Sequence, residues 1–192
     1  MFGPVPAAVV DDRRPGGGVH GRAGRRAEGE GPRPRVGIMD IVAIDPGTKT
    51  GWASWVRGFL ESGVQEFSLK RGESAGMRFI RFRAWLKDLI KAVGPDLIVY
   101  EQAHLRGGWA TDLLVGMTTR ICEDAAAAGI EMTSVHSATL KKAIAGTGRA
   151  DKLAMMKAAA RLYPGRRIQD DNEADALCLL AWARQTLGGG RP

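Results

Sequence analysis

Cysteine and histidine are scarce in this sequence, and they do not cluster. The 192 residues include two cysteines and three histidines, with no CxxC pair and no Cys/His group at the spacing of a zinc site. Cys122 and Cys178 lie far apart in segments with a helical pattern, so we expect buried thiols in a reducing compartment. A disulfide framework and a structural zinc site are therefore not expected.

Long apolar runs are also missing. No stretch approaches the roughly 20 apolar residues that a membrane-spanning helix needs, and the apolar part of the opening MFGPVPAAVVDDRR is too short for a signal peptide. We therefore expect a cytoplasmic protein without membrane contact. Hydrophobic residues make up 44% of the chain, which is enough to bury a sizeable core.

Positive charge is in excess. The formal net charge of +7 at pH 7 favours a polyanionic partner, most often nucleic acid. Many basic proteins bind no acidic partner, however, so composition alone does not decide the function.

Residues 1–38 differ in composition from the rest of the chain. They are rich in glycine, proline and arginine and have almost no large apolar residues, so we predict that they are disordered. Two interpretations are open, a basic arm that contacts phosphates or an upstream extension in front of a true start at Met39. We favour the second, because Met39 stands directly before the first predicted strand, and we assign residues 39–192 to one folded domain.

From Met39 onward the hydrophobic pattern predicts an α/β fold, a mixed five-stranded sheet flanked by helices. Three short strands form a meander, and the later strands alternate with helices. The predicted strands are 41–45, 51–56, 64–69, 96–101 and 130–136. The predicted helices are 74–93, 110–128 and 173–186, with a helical pair capped by Ser137 and Asp151 before the last one.

Acidic side chains stand at the ends of two predicted strands. Asp45 follows an apolar run and precedes a Pro-Gly turn, and Glu101 ends the apolar run DLIVYE. Because adjacent strands place their ends side by side, both carboxylates can project from one edge of the sheet. Each has an ordinary alternative, since Asp45 could stabilise the turn and Glu101 could be a surface acid.

The segment DDNEADALCLLAWA adds a third acidic group. Asp171 and Asp175 are four residues apart and Asn172 is three before Asp175, so a helix can place them on one face. The apolar run that follows predicts close packing on the core, where an unpaired acid is costly; Asp171 could instead only cap the helix. Two strand-end acids with a helical acid pair are typical of a two-metal phosphodiester site, and their oxygen ligands favour magnesium or manganese over zinc.

Four stretches, IVAIDPGTKTGWA, LIVYEQ, LKKAIAGTGRADK and DDNEADALCLLAWA, resemble the RuvC family of Holliday-junction resolvases, particularly divergent members from phages and prophages. The resemblance covers residues 39–187. It implies a ribonuclease-H-like fold, a homodimer, and nicking of branched DNA that depends on magnesium, with two ions per site and manganese as a substitute.

The resemblance also implies a set of ligands. Asp45, Glu101 and Asp175 match the metal-binding acids of the family. Where the family usually carries its fourth acid this chain has Asn172, so either the neighbouring Asp171 or Asn172 completes the site.

The segment LKKAIAGTGRADK predicts contacts with phosphate. Lys141, Lys142, Arg149 and Lys152 surround a glycine-rich turn where backbone can approach a phosphate, and the resemblance implies that Lys141 and Lys152 lie near the scissile bond. The alternative is a solvated basic helix face.

The loop HLRGGW supplies further candidate DNA contacts, His104 and Arg106. His104 stands where the family often has an aromatic wedge, and Trp109 is a base-stacking residue, a core contact or a dimer contact. An apolar helix face over residues 113–121 is compatible with a dimer.

These features predict a metal-dependent endonuclease that resolves Holliday junctions or other branched DNA. Asp45 anchors the metals, Glu101, Asp175 and Asp171 or Asn172 complete the site, and Lys152 offsets charge on the phosphoryl oxygens. The nearest alternative is a YqgF-type nuclease acting on RNA, although the basic segment favours the junction enzyme. A catalytically decayed nucleic-acid-binding module is another alternative, and an actin-like ATPase would need a second lobe for which the chain is too short.

Overall fold

The computed structural model describes residues 39–102 and 107–187, so the predicted disorder of residues 1–38 concerns residues outside it. The strands are β1 (Ile41–Asp45), β2 (Lys49–Val56), β3 (Phe59–Glu66), β4 (Leu97–Glu101) and β5 (Glu131–Val135). The helices are α1 (Gly76–Val93), α2 (Trp109–Ala128), α3 (Ser137–Ala145), α4 (Lys152–Leu162) and α5 (Asp171–Thr186). The predicted element order is confirmed. None of the helices in these ranges is long and apolar enough to cross a membrane.

The central strand of the sheet is β1. The strand order is β3-β2-β1-β4-β5, with β1 antiparallel to β2 and parallel to β4. Because β1 and β4 run in the same direction, their carboxyl ends meet at one edge of the sheet. The mixed sheet therefore brings the ends of the two strands that carry Asp45 and Glu101 together, as the sequence predicts.

Two hydrophobic cores cover the two faces of β1. Successive side chains of a strand point to opposite faces, so Ile41 and Ala43 pack with α3, α4 and α5, whereas Val42 and Ile44 pack with α1 and α2. All four side chains are buried, which explains the uninterrupted apolar run of this strand.

The apolar face of α2 belongs to one of these cores. Leu113, Met117 and Ile121 are buried against α1 and the sheet. These three residues therefore belong to the core of the chain itself, and the predicted dimer stays a prediction.

The third strand begins five residues earlier than predicted. Arg57 and Gly58 have φ angles of 51° and 87°, the two positive values of a type I′ turn. This two-residue turn joins β2 directly to β3, so the hairpin starts at Phe59 rather than at residue 64. Arginine is unusual at such a turn, which is why the sequence pattern did not reveal it.

Apart from that of α4, the starts of the helices differ from prediction by one or two residues, and the caps of the later helices show why. Asp151 caps α4 as predicted, accepting a hydrogen bond from the Ala154 amide at 2.8 Å. Ser137 is the first residue of α3 and not its cap, which is His136 without a side-chain hydrogen bond. The last helix starts at Asp171, two residues earlier than predicted, because Asp170 caps it.

Replacing Arg57 with asparagine should stabilise the protein. The left-handed backbone at Arg57 is strained for most side chains, and asparagine tolerates it better, so Arg57→Asn should raise the free energy of unfolding by about 0.5–1 kcal/mol. Urea denaturation measures the change. The backbone amide of Arg57, which donates to Asp40 Oδ1 at 2.8 Å, is retained.

The matched control is Arg71→Asn, which removes the same charge from an exposed turn residue with ordinary φ. An equal gain in both variants would show that the lost charge, and not the backbone conformation, is responsible.

Candidate active site

Asp45 lies at the end of β1, where the chain turns sharply. The turn is closed by Thr50, which is fully buried. Its hydroxyl donates to the carbonyl of Gly47 at 2.8 Å and accepts from the Gly47 amide at 3.3 Å. These bonds fix the turn to β2 and leave the half-buried Asp45 side chain at the edge of the sheet.

Three further acids surround Asp45. Burial raises the pKa of Asp45 well above its usual value, and the charges of Glu101, Asp175 and Asp171 raise it further. Burial, followed by the charge of Glu101, likewise raises the pKa of Asp175 to about 6. The structure thus gathers the four predicted acids into one group of repelling charges, which we call the acidic cluster (Asp45, Glu101, Asp171 and Asp175).

Lysines from three elements offset this negative charge. Lys152, the first residue of α4, donates a hydrogen bond to Asp171, which lowers the pKa of Asp171 and raises that of Lys152. The positive charge of Lys141 on α3 acts to lower the pKa of Asp175, against the larger effect of burial. Lys49, at the start of β2, also acts to lower the pKa of Asp171. The sequence predicts Lys141 and Lys152 but does not single out Lys49, whose one signal is its place in the turn after Asp45.

The side chains of the acidic cluster are not arranged as a complete metal-binding site. Within residues 39–102 and 107–187, no three acidic, histidine or cysteine side chains are grouped closely enough to hold a metal ion. The donors are carboxylate oxygens, the ligand type that magnesium and manganese prefer. A divalent cation among them would also offset the repulsion that adds to the effect of burial on the pKa values of Asp45 and Asp175. The chemistry of the donor set therefore fits a hard divalent cation.

Asn172 contacts Asp170 and the backbone of β2. Its side-chain Nδ2 donates to Asp170 Oδ2 at 3.2 Å, and its backbone carbonyl faces Gly51 on β2. Asp171, in contrast, interacts electrostatically with both Asp45 and Asp175. Asp171 therefore takes part in the electrostatics of the cluster.

A buried ion pair holds the first turn of α5 on the sheet. Glu173 is 1% exposed and accepts hydrogen bonds from the Ser62 hydroxyl on β3 and from the Gln169 amide at 2.7 Å. Arg166 Nε lies 3.7 Å from Glu173 Oε1 and donates to Ser62 Oγ at 2.8 Å. Sequence reasoning missed these residues, because nothing in the pattern indicates that Glu173 points inward.

The remaining predicted contacts are exposed or lie outside the described residues. Lys142 and Arg149 are exposed on α3 and on the turn that follows it. Trp109 begins α2 and is 57% exposed, with its ring centroid 5.0 Å from Arg78 Cζ, so it is not a core residue. His104 and Arg106 belong to residues 103–106, which the structure does not describe.

Comparison with known proteins decides the family. No family model matches the sequence. The crossover junction endodeoxyribonuclease RuvC of Zymomonas mobilis is 30% identical over 148 residues, which cover 73% of this chain and 87% of that protein. The chain belongs to the RuvC family. The resemblance seen in the four sequence stretches is therefore confirmed.

A second relative agrees with the assignment to the RuvC family, and a solved structure agrees with the predicted fold. RuvC of Nitratidesulfovibrio vulgaris is 33% identical over 121 residues, 59% of this chain and 71% of that protein. RuvC of Thermus thermophilus, solved in complex with a Holliday junction substrate, superposes with a TM-score of 0.62 at 22% identity, covering 77% of this chain and 96% of that one. The predicted ribonuclease-H-like fold is confirmed.

The raised pKa of Asp175 predicts a pH-dependent gain of stability when its charge is removed. The folded chain binds the proton of Asp175 more tightly than the unfolded chain, so protonation of Asp175 stabilises the fold. This stabilisation is fully present below pH 3.8, the ordinary pKa, and is lost as the pH rises through about 6. In the metal-free protein, Asp175→Asn should therefore raise the stability by about 1–3 kcal/mol at about pH 8 and by much less at about pH 4.

Thermal denaturation in EDTA at the two pH values measures this difference. Asp88→Asn, which removes an exposed aspartate on α1, is the control and should change stability little at either pH. A gain for Asp175→Asn that is equal at both pH values would contradict the assignment of the shift to Asp175.

Proposed function

We propose that this chain is a metal-dependent crossover junction endodeoxyribonuclease, which resolves four-way DNA junctions by paired hydrolysis of phosphodiester bonds. The observation that carries the proposal is the acidic cluster at one edge of a RuvC-type sheet, with lysines beside it. The relatives in Zymomonas mobilis and Nitratidesulfovibrio vulgaris are named for this activity. The Thermus thermophilus protein is solved with a Holliday junction substrate.

In this proposal the four acids of the cluster hold divalent cations, two per site, with magnesium as the ordinary ion and manganese as its substitute. When bound, the cations would lower the pKa of an attacking water and stabilise the leaving oxygen. Asp171 completes the ligand set, because its charge acts on both Asp45 and Asp175. Asp45 is the central ligand, since its carboxylate interacts with the other three.

The chain supplies positive charge for the phosphate from its own lysines. The Lys152 side chain is 80% exposed although it is paired with Asp171, so its ammonium group is accessible to a phosphate at the cluster. There it offsets the negative charge that grows on the phosphoryl oxygens during attack. Lys141 contributes charge from α3, because it already interacts with Asp175.

The DNA arms extend beyond the cluster over exposed basic residues. Lys142 and Arg149 flank the Gly146 turn, and His104 and Arg106 are assigned from the sequence alone. Trp109, exposed at the start of α2, offers a ring for stacking on a base. Two copies of the chain, each with one site, would cut two opposed strands of the junction.

Cleavage of a synthetic four-way junction tests the proposed function. The full chain with magnesium should produce paired, symmetric nicks, and linear duplex should stay intact. EDTA or Asp45→Asn should abolish cleavage, because either change removes the central metal contact. The control Asp88→Asn alters an aspartate on α1 and should cleave normally.

Other outcomes of this experiment select the alternatives. Cleavage of structured RNA in place of the junction would support a YqgF-type nuclease. Junction binding without cleavage, in magnesium or manganese, would indicate a decayed binding module.

The basic residues around the Gly146 turn predict a change in the salt dependence of DNA binding. Each phosphate contact adds about 0.9 to the slope of log K against log salt for duplex DNA. Lys142→Ala and Arg149→Ala should therefore each reduce the slope by about 1 and weaken binding alike for all sequences. Fluorescence anisotropy in EDTA, over a range of salt concentrations, measures the slope.

The matched control is Lys87→Ala, since Lys87 is exposed on α1, across the sheet from α3. It should leave the slope unchanged. Equal slopes for all three variants and the unmodified chain would show that Lys142 and Arg149 do not contact DNA phosphates.

A further inference from the structure

The first turn of α5 packs directly on the backbone of β2. Gly51 is buried in β2 and pairs with Asp45 in the β1–β2 ladder. A Cβ atom at Gly51 would lie 1.9 Å from the carbonyl oxygen of Asn172, 2.5 Å from its carbonyl carbon and 3.3 Å from the Cβ of Ala176. Any side chain at this position would therefore push the first turn of α5 away from the sheet.

Backbone conformation does not explain the glycine. The φ angle of Gly51 lies outside the left-handed region, and the residue continues the regular ladder of β2. The close approach of Asn172 is what requires the absence of a side chain. The obstacle would be a backbone carbonyl, which cannot rotate aside as a flexible side chain can.

This contact lies between the two halves of the acidic cluster. On the β2 side, Gly51 is the ladder partner of Asp45. On the α5 side, Asn172 is adjacent to Asp171 and precedes Asp175 by one helical turn. The distance between the backbones of Gly51 and Asn172 therefore sets the separation between Asp45 and the two acids of α5.

Repulsion within the cluster favours a larger separation, so the turn must be held in place. The Glu173–Arg166–Ser62 contacts tie the same turn to β3. They anchor the turn, while Gly51 determines how close to the sheet the turn lies.

We propose that Gly51 is a positioning residue for the metal site, whose missing side chain lets Asp171 and Asp175 approach Asp45 closely enough to share cations with it. This inference rests on the proposed function, because it assumes that the cluster binds divalent cations. Gly51 acts through the position of α5 and touches neither metal nor DNA.

A second glycine provides a matched control. A Cβ at Gly116 of α2 would lie 2.4 Å from the ring of Phe79 on α1, so Gly116→Ala also creates a clash, although with a side chain that, unlike the Asn172 carbonyl, can shift. That clash lies between α1 and α2, which pack on the face of the sheet opposite α5. Gly116→Ala therefore reports the cost of a packing defect that does not move the acidic cluster.

The test compares the full-length chain with its Gly51→Ala and Gly116→Ala variants in the absence of DNA. Cations that bind the folded chain raise its Tm by mass action, so a fit of Tm against the concentration of magnesium chloride gives the concentration that half-saturates the folded chain. Gly51→Ala should raise this concentration by about 10–100-fold, the usual effect of losing a residue that orients metal ligands. Gly116→Ala should lower the Tm of the metal-free protein but leave the half-saturating magnesium concentration unchanged.

Ser62→Ala keeps the test decisive if Gly51→Ala does not fold. It loosens the same turn from the β3 side, since the Ser62 hydroxyl bonds to Glu173 and Arg166, and it removes no member of the cluster. It should raise the half-saturating magnesium concentration by a smaller factor than Gly51→Ala. An unchanged value in whichever of these two variants folds overturns the proposal, as does an equal increase in Gly116→Ala.

Junction cleavage by the same preparations separates this inference from the proposed function. If the unmodified chain cleaves junctions and is stabilised by magnesium while Gly51→Ala responds to magnesium in the same way, only the role of Gly51 is overturned. If the unmodified chain shows neither response, both proposals fail.

Discussion

Four carboxylates at one end of the sheet repel one another, and the rest of the fold has to keep them together. Burial raises the pKa values of Asp45 and Asp175, and repulsion from the neighbouring acids raises them further. Strands β1 and β4 hold two of the acids side by side through their ladder, but α5 has no such ladder. Its first turn is held instead by the buried Glu173 network and by close contact with Gly51. The site therefore depends on how tightly one helical turn is fixed to two strands.

The parts of the site that follow local periodicity could be predicted from the sequence. Asp45 and Glu101 end apolar runs, and parallel neighbouring strands bring such ends together whatever their other contacts. Asp171 and Asp175 follow from the helical repeat, because residues four apart share one face. The element order and the family also followed from the sequence, and comparison with relatives confirmed them.

The parts that depend on tertiary contact could not be predicted. Glu173 is an acid in an acidic segment, and only the fold shows that it is buried against Arg166. Gly51 is one of 26 glycines, and its role depends on a helix that follows more than a hundred residues later. From the sequence, the apolar face of α2 could equally belong to the core or to an interface. The structure shows that Leu113, Met117 and Ile121 pack against α1 in the core. The start of β3 was missed because Arg57 adopts a backbone conformation that usually requires glycine or asparagine.

Two ion pairs at the start of α5 differ in burial, and this difference separates their roles. Glu173 is almost fully buried, so breaking its pair with Arg166 would leave a charge without solvent, which is strongly unfavourable. Lys152 is largely exposed, and exposed pairs contribute about 0–1 kcal/mol, so a phosphate can draw Lys152 away from Asp171 at little cost. Lys152 also stands at the amino end of α4, where the helix dipole disfavours a positive charge. The buried pair therefore fixes the turn, and in the proposed function the exposed pair lets Lys152 exchange a carboxylate for a phosphate.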